Sequence, residues 1–228
     1  MRKVVFAEGQ VYHIYNRGVD KREIFLNDFD RYRFIQDLQY MNSAEPVLNS
    51  GYSFVRNLPV YIDSGLGAAT HQNKPENRKL VDILAFAFMP NHYHMLVMQR
   101  VREGIVSFMQ KLGTAYTMYF NSRYKRTGVL FQGPFKAVLI KKENHFEGIP
   151  FYIHANPLKL AAPLHSAEMK LAFLRNYKWS SFRDYDGIPN FGSIISTEFL
   201  EELFVRDGGF RLCMAKYLEN RRKPIGES

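Results

Sequence analysis

The stretch VDILAFAFM-PN-HYHMLVMQ, residues 81–99, decides the fold. Val81 to Met89 is a continuous apolar run of strand length. Pro90-Asn91 makes a tight turn, and His92 to Gln99 returns as a second strand. The two runs form a β-hairpin with apolar residues on both faces, so both faces should be covered by other parts of the chain. The pair His92 and His94 opens the second strand. Residues i and i+2 of a strand point to the same face, which sets the two imidazoles side by side. That is half of a divalent-metal site. The same spacing also suits two histidines on a polar sheet face, or two core histidines satisfied by hydrogen bonds.

Working outward, Val11 to Asn16 reads as a strand, closed by Arg17-Gly18. Asp28 is the expected N-cap of a helix that runs to about Met41 and buries Phe34, Leu38 and Met41. Residues 42–79 are less regular and read as an insertion. Within them Tyr52 to Ile62 has the composition of a strand or hairpin, weakened by Pro59. Ile105, Phe108, Met109, Leu112, Tyr116 and Phe120 recur at helical spacing and predict a helix over 103–123. A basic stretch, 124–133, leads to a strand over Phe135 to Ile140, closed by Lys141-Lys142. A short helix then ends near Asn156-Pro157. The remainder, 158–228, reads as helical and irregular, with a basic tail at Arg221-Arg222-Lys223. The order strand, helix, strand, strand, helix, strand predicts an α+β, ferredoxin-like (RRM-like) fold. Its four-stranded antiparallel sheet carries helices packed on one face, and a C-terminal helical extension follows. The division expected is 1–160 for the domain, with its insertion at 42–79, and 161–228 for the extension.

Composition narrows the function. The 228 residues are 46% hydrophobic and 15% aromatic, which fits a folded domain and not a disordered chain. Lys and Arg number 31 against 22 acids, a formal net charge of +9. An excess of that size points to a polyanionic partner, most often nucleic acid. Cys213 is the one cysteine, so a disulfide framework and a cysteine-rich zinc site are excluded and a reducing cytoplasm is expected. Residues 1–10 lack the apolar core of a signal peptide, and no segment approaches the ~20 apolar residues of a membrane span.

Tyr152 and Asn156 are four apart on the last short helix and share one of its faces. A helix after the fourth strand can pack across the sheet toward His92 and His94. The phenol would then stand beside a metal, with the Asn156 oxygen as a further ligand; imidazole and oxygen donors suit Mg²⁺ or Mn²⁺. Spacing alone equally fits a packed tyrosine and a helix C-cap before Pro157. Pro150 sits two residues before Tyr152, where uninterrupted helix is expected; the alternative is that it opens a new helix at its first position, which tolerates proline. Tyr116, Tyr119 and Tyr124 are rival nucleophiles.

Several blocks resemble a known family in the same order. They are Tyr12-His13-Ile14-Tyr15-Asn16-Arg17-Gly18, Met89-Pro90-Asn91-His92-Tyr93-His94, Phe131-Gln132-Gly133-Pro134-Phe135-Lys136, Tyr152-Ile153-His154-Ala155-Asn156-Pro157 and Lys178-Trp179-Ser180-Ser181-Phe182-Arg183. Together they are similar to the HUH-superfamily single-tyrosine transposases, most of all the REP-associated tyrosine transposases. The resemblance implies that His92, His94 and Asn156 bind a divalent cation, Mg²⁺ or Mn²⁺. It implies that Tyr152 attacks a DNA phosphodiester to form a 5′-phosphotyrosine link. A phenol of ordinary pKa, about 10, needs activation for that. The implied partner is single-stranded DNA with hairpin repeats, handled by a monomer or a homodimer in the cytoplasm at the nucleoid. Arg17, Arg123, Tyr124, Lys125, Arg126, Lys136, Lys141 and Lys142 are the candidate DNA contacts, as cations for phosphates and an aromatic ring for bases. A ferredoxin-like module that binds DNA or RNA without chemistry, and a nuclease that uses metal-activated water, are the alternatives.

Overall fold

The computed structural model of the chain describes residues 4–45, 78–141 and 143–220. The sheet consists of β1 (Val11–Arg17), β2 (Val81–Met89), β3 (His92–Gln99) and β4 (Lys136–Leu139) in the order β2-β3-β1-β4. Every neighbouring pair is antiparallel. With α1 (Asp28–Met41) between β1 and β2 and α2 (Gly104–Arg123) between β3 and β4, this is the ferredoxin-like arrangement the sequence predicts. The reading of Tyr52 to Ile62, and most of the 42–79 insertion, lie outside the described residues, as do Lys142 and the tail at 221–223.

Pleating sorts β3 into two sets of side chains. Tyr93 faces α1 and α2, and its ring lies 5.1 Å from that of Phe34. Phe34 also meets Phe88 at 5.1 Å and Tyr116 at 4.9 Å, both edge to face. These rings, with Phe25, form the centre of the core on that side. His92 and His94 face the other way, toward α3 (Glu143–Ala155), which packs against β2 and β3. The helices expected on one face are there, and α3 adds a layer on the opposite face.

Local chemistry fixes the ends of these elements. The N-cap of α1 is Asn27, not Asp28. Asn27 has extended backbone and accepts from the Asp30 N–H, and the Asp30 carboxylate accepts from the Asn27 N–H. Asp28 falls one place later, in the first turn, where a carboxylate meets the positive end of the helix dipole. A Cβ on Gly104, at the start of α2, would lie 2.4 Å from the Leu80 carbonyl oxygen, so only glycine lets the helix begin this close to β2. Pro150 does not open a helix. It lies inside α3, which continues through it, and it is buried. Packing overrides the local preference here, because Phe151 is held among Phe204, Phe210 and Tyr217.

The segment after α3 supplies what the outer edge of β2 lacks. A 3-10 turn (Asn156–Leu160) leads to α4 (Ala167–Asn176), α5 (Phe182–Tyr185), α6 (Glu198–Phe204) and α7 (Phe210–Asn220). Between α4 and α5 the chain runs along β2. The Phe88 N–H donates to the Trp179 carbonyl at 2.9 Å, and the Ser181 N–H donates to the Phe86 carbonyl at 3.1 Å. The Ser196 N–H donates to Ile83 in the same way at 2.9 Å. All nine residues of β2 are buried as a result, and an edge that would otherwise template aggregation is closed. No helix among the described residues is long and apolar enough to cross a membrane.

Candidate active site

Strand register builds the site row by row on the α3 face. His94 stands between Tyr15 on β1 and Ala87 on β2; His92 stands between Arg17 and Met89. The two imidazoles are 5.2 Å apart, centre to centre, and nearly perpendicular. Each ring is held by its Nδ1. His92 Nδ1 lies 2.6 Å from the Asn91 side-chain oxygen, and the Asn91 amide nitrogen donates to the Lys21 carbonyl, which fixes that orientation. His94 Nδ1 lies 2.9 Å from Nε2 of His13, a buried residue of β1. An imidazole that donates from Nδ1 carries its lone pair on Nε2, the form a metal takes. Burial holds the pKa of His94 well below the ordinary histidine value, helped by the neighbouring His13, His92 and Lys159. Burial likewise pushes His13 down to about 4. Both rings are therefore neutral near pH 7.

Helix α3 brings the nucleophile candidate to the same place. The Tyr152 ring stands edge-on to His94 at 5.6 Å and to His13 at 6.0 Å. Its aim is set by neighbours on the other side of the helix. His154 is fully buried, with Nε2 2.7 Å from the Ser181 hydroxyl, and Ser181 also accepts from the Phe86 N–H. The Tyr152–Pro157 block and the Lys178–Arg183 block thus meet at one hydrogen-bonded strut on β2.

The donor set fits a divalent cation. Asn156 is 1% exposed; its amide nitrogen donates to the Tyr152 carbonyl at 2.9 Å, and its oxygen is buried with no hydrogen-bond partner. A buried amide oxygen left unsatisfied costs about 1–3 kcal/mol, which a ligand would offset. Among the described residues no three His, Cys, Asp or Glu side chains converge as a metal-binding group. Two imidazoles and one amide oxygen would be a different set, of a kind that suits Mg²⁺ or Mn²⁺.

The other predicted residues divide. Arg17 and Lys136 are exposed on the site face: Arg17 pairs in register with His92, and the Lys136 ammonium lies 5.8 Å from the Tyr15 ring. Lys141 is exposed just past β4. Arg123, Tyr124, Lys125 and Arg126 lie at the end of α2, in the layer on the opposite face. The Tyr124 hydroxyl donates to the Asp30 carboxylate at 2.8 Å and its ring packs on Phe120, so it is held as a structural tyrosine. Arg126 donates to the Asn121 side chain and the Val129 carbonyl, and braces its own loop. Arg123 is half-committed in the same way, to the Tyr124 oxygen. Lys125 is exposed, with its backbone in the left-handed region. That loop still reaches the site end of the sheet, since Val19 N–H donates to Leu130 and Gly18 N–H donates to Asn91. A Cβ on Gly18 would lie 2.2 Å from the Arg22 carbonyl oxygen, so this meeting of loops needs glycine.

The rival nucleophiles are placed elsewhere. Tyr116 is buried and donates to the Ile24 carbonyl, and Tyr119 donates to Asp30. Three residues not singled out by sequence reasoning do belong to the site: His13, Tyr15 and Lys159. Tyr15 lies 5.1 Å from His13 and 5.7 Å from His94, ring to ring. The one available signal was period two, since His13 and Tyr15 alternate with core residues on β1.

Residues 69–156 match the family described as "Transposase IS200 like". No individually curated protein matches the sequence significantly. Among solved structures, the REP-associated tyrosine transposase bound to a REP hairpin is similar over 87% of this chain and 89% of that one, with a TM-score of 0.52 and 11% identity. At that identity the likeness speaks for the fold.

Proposed function

We propose, for a chain whose residues 69–156 match the IS200-like transposase family, that Tyr152 cleaves and rejoins single-stranded DNA through a covalent 5′-phosphotyrosine intermediate. The observation that carries this reading is the Tyr152 ring standing edge-on to His94, with the partnerless oxygen of Asn156 one helical turn later. The structural neighbour was captured with a REP hairpin, which supports a hairpin-containing strand as substrate. The net charge of +9 fits such a partner.

A divalent cation held by His92, His94 and Asn156 would polarise the scissile phosphate and lower the cost of charge building on its oxygens. The Tyr152 oxygen attacks the phosphorus, the bond to the 3′ oxygen breaks, and the phenol proton is released as the departing strand gains a 3′-hydroxyl. The exchange of one phosphodiester for another conserves the bond, so rejoining needs no nucleotide cofactor. Arg17 and Lys136, flanking the histidines, hold the strand by its phosphates. His94 and Tyr152 meet within one chain, which supports a monomer as the working unit. On this reading residues 1–160 carry the chemistry and residues 161–228 brace β2 and the catalytic helix, as an enzyme acting on DNA at the nucleoid.

Incubation of the protein with hairpin-containing single strands and Mn²⁺ is expected to give a protein–DNA adduct that survives denaturation. EDTA and Tyr152→Phe should each abolish it. Cleavage without an adduct would point to a metal-activated water, and binding unchanged by EDTA with no cleavage would point to a non-catalytic module.

A further inference from the structure

We infer that His13 is a positioning residue for the metal site: its Nε2 accepts the Nδ1 proton of His94 and thereby presents His94 Nε2 to the cation. The inference rests on the metal reading of His92, His94 and Asn156 and adds an outer layer to it.

The geometry is specific. The two nitrogens are 2.9 Å apart and both residues are buried. The two rings lie nearly parallel, 20° apart in plane, with centres at 5.1 Å. Strand pairing sets the relation, because β1 and β3 are neighbours and His13 lies opposite Leu96, diagonal to His94 on the same face. Tyr15 stacks against His13 at 5.1 Å and Tyr152 meets it edge-on, so the ring is confined on two sides. His13 is not placed as a third ligand, since its Nε2 is turned to His94. A histidine ligand almost always gives its second N–H to such a partner, which fixes the tautomer and the ring plane. Asn91 stands in that relation to His92. His13 does the same for His94, with an imidazole where a carboxylate or carbonyl is usual. A neutral imidazole donates less electron density through the bond than a carboxylate does, so the cation is held less tightly than with an acidic partner.

The test is a titration of the full chain with Mn²⁺ alone, read by calorimetry or by the Mn²⁺ spin-resonance signal, with no DNA present. His13→Leu is expected to raise the Kd about 10- to 100-fold. His13→Gln, whose carbonyl oxygen can accept the same proton, should recover most of that loss. His92→Ala is the control arm: if it leaves Mn²⁺ binding intact, the metal reading itself fails. If His92→Ala loses binding while His13→Leu keeps wild-type affinity, or if His13→Gln binds as weakly as His13→Leu, only the role of His13 is overturned. Should His13→Leu fail to fold, nitrogen-15 spectra of the wild-type histidines decide. The proton on His94 Nδ1, with a coupling across the bond to His13, supports the role; a proton on His94 Nε2 contradicts it.

Discussion

One sheet has two faces built from the same strands, and they do opposite things. On the α1 and α2 face, Tyr12, Ile14, Tyr93, Met95 and Val97 are buried, and Tyr93 meets Phe34, which packs on Phe25 and Tyr116. On the α3 face, one residue over along β1 and β3, stand His13, Tyr15, Arg17, His92 and His94. Alternation by two lets a single hairpin supply both a core and a polar constellation, with no loop needed to carry the chemistry. The histidines are held at fixed spacing because the reverse side of their own strands is closely packed.

This contrast can be broken from either side. The largest effect is expected on the polar face: His92→Ala, or metal removal, should cost roughly a thousandfold or more in adduct formation. Its melting temperature should stay near that of the parent, and a large fall would mean the polar face is also structural. On the packed face, Phe34→Ala should cost about 3–5 kcal/mol in chemical denaturation. Below its melting temperature the folded fraction should still bind Mn²⁺ like the parent. Next comes the strut between the two blocks. Ser181→Ala leaves the buried Phe86 N–H and His154 without their shared partner and should cost about 1–3 kcal/mol. Adduct formation should fall with it, because that strut aims Tyr152. The smallest contrast lies among the cations. Arg17→Ala should weaken single-strand binding and lower its salt dependence by about one counterion. Arg126→Ala should act mainly on stability, since its guanidinium braces residues 121–129.

The sequence displays the hairpin, the helix of Tyr152 that ends just before Asn156, and the strand order plainly, because each follows from local periodicity and turn residues. What it hides depends on distant partners. His13 reads as one polar residue in a strand until register sets it against His94, 81 positions away. The Lys178–Arg183 block is visible as a motif, yet nothing local says that its backbone completes the edge of β2. Tyr124 reads as a stacking platform among basic residues until the capping carboxylate of Asp30 takes its hydroxyl. Pro150 leaves a continuous helix and a new helix start both open, because propensity is a local quantity and the aromatic pocket around Phe151 is not.

One particular phenol is proposed to become bonded to DNA, and Tyr15 stands almost as near to His94 as Tyr152 does. Mass spectrometry of peptides from the Mn²⁺ reaction, after nuclease trimming of the DNA, separates the two. A 5′-nucleotide remnant is expected on Tyr152 and none elsewhere. A remnant on Tyr15, or cleaved DNA with no modified tyrosine, would contradict it.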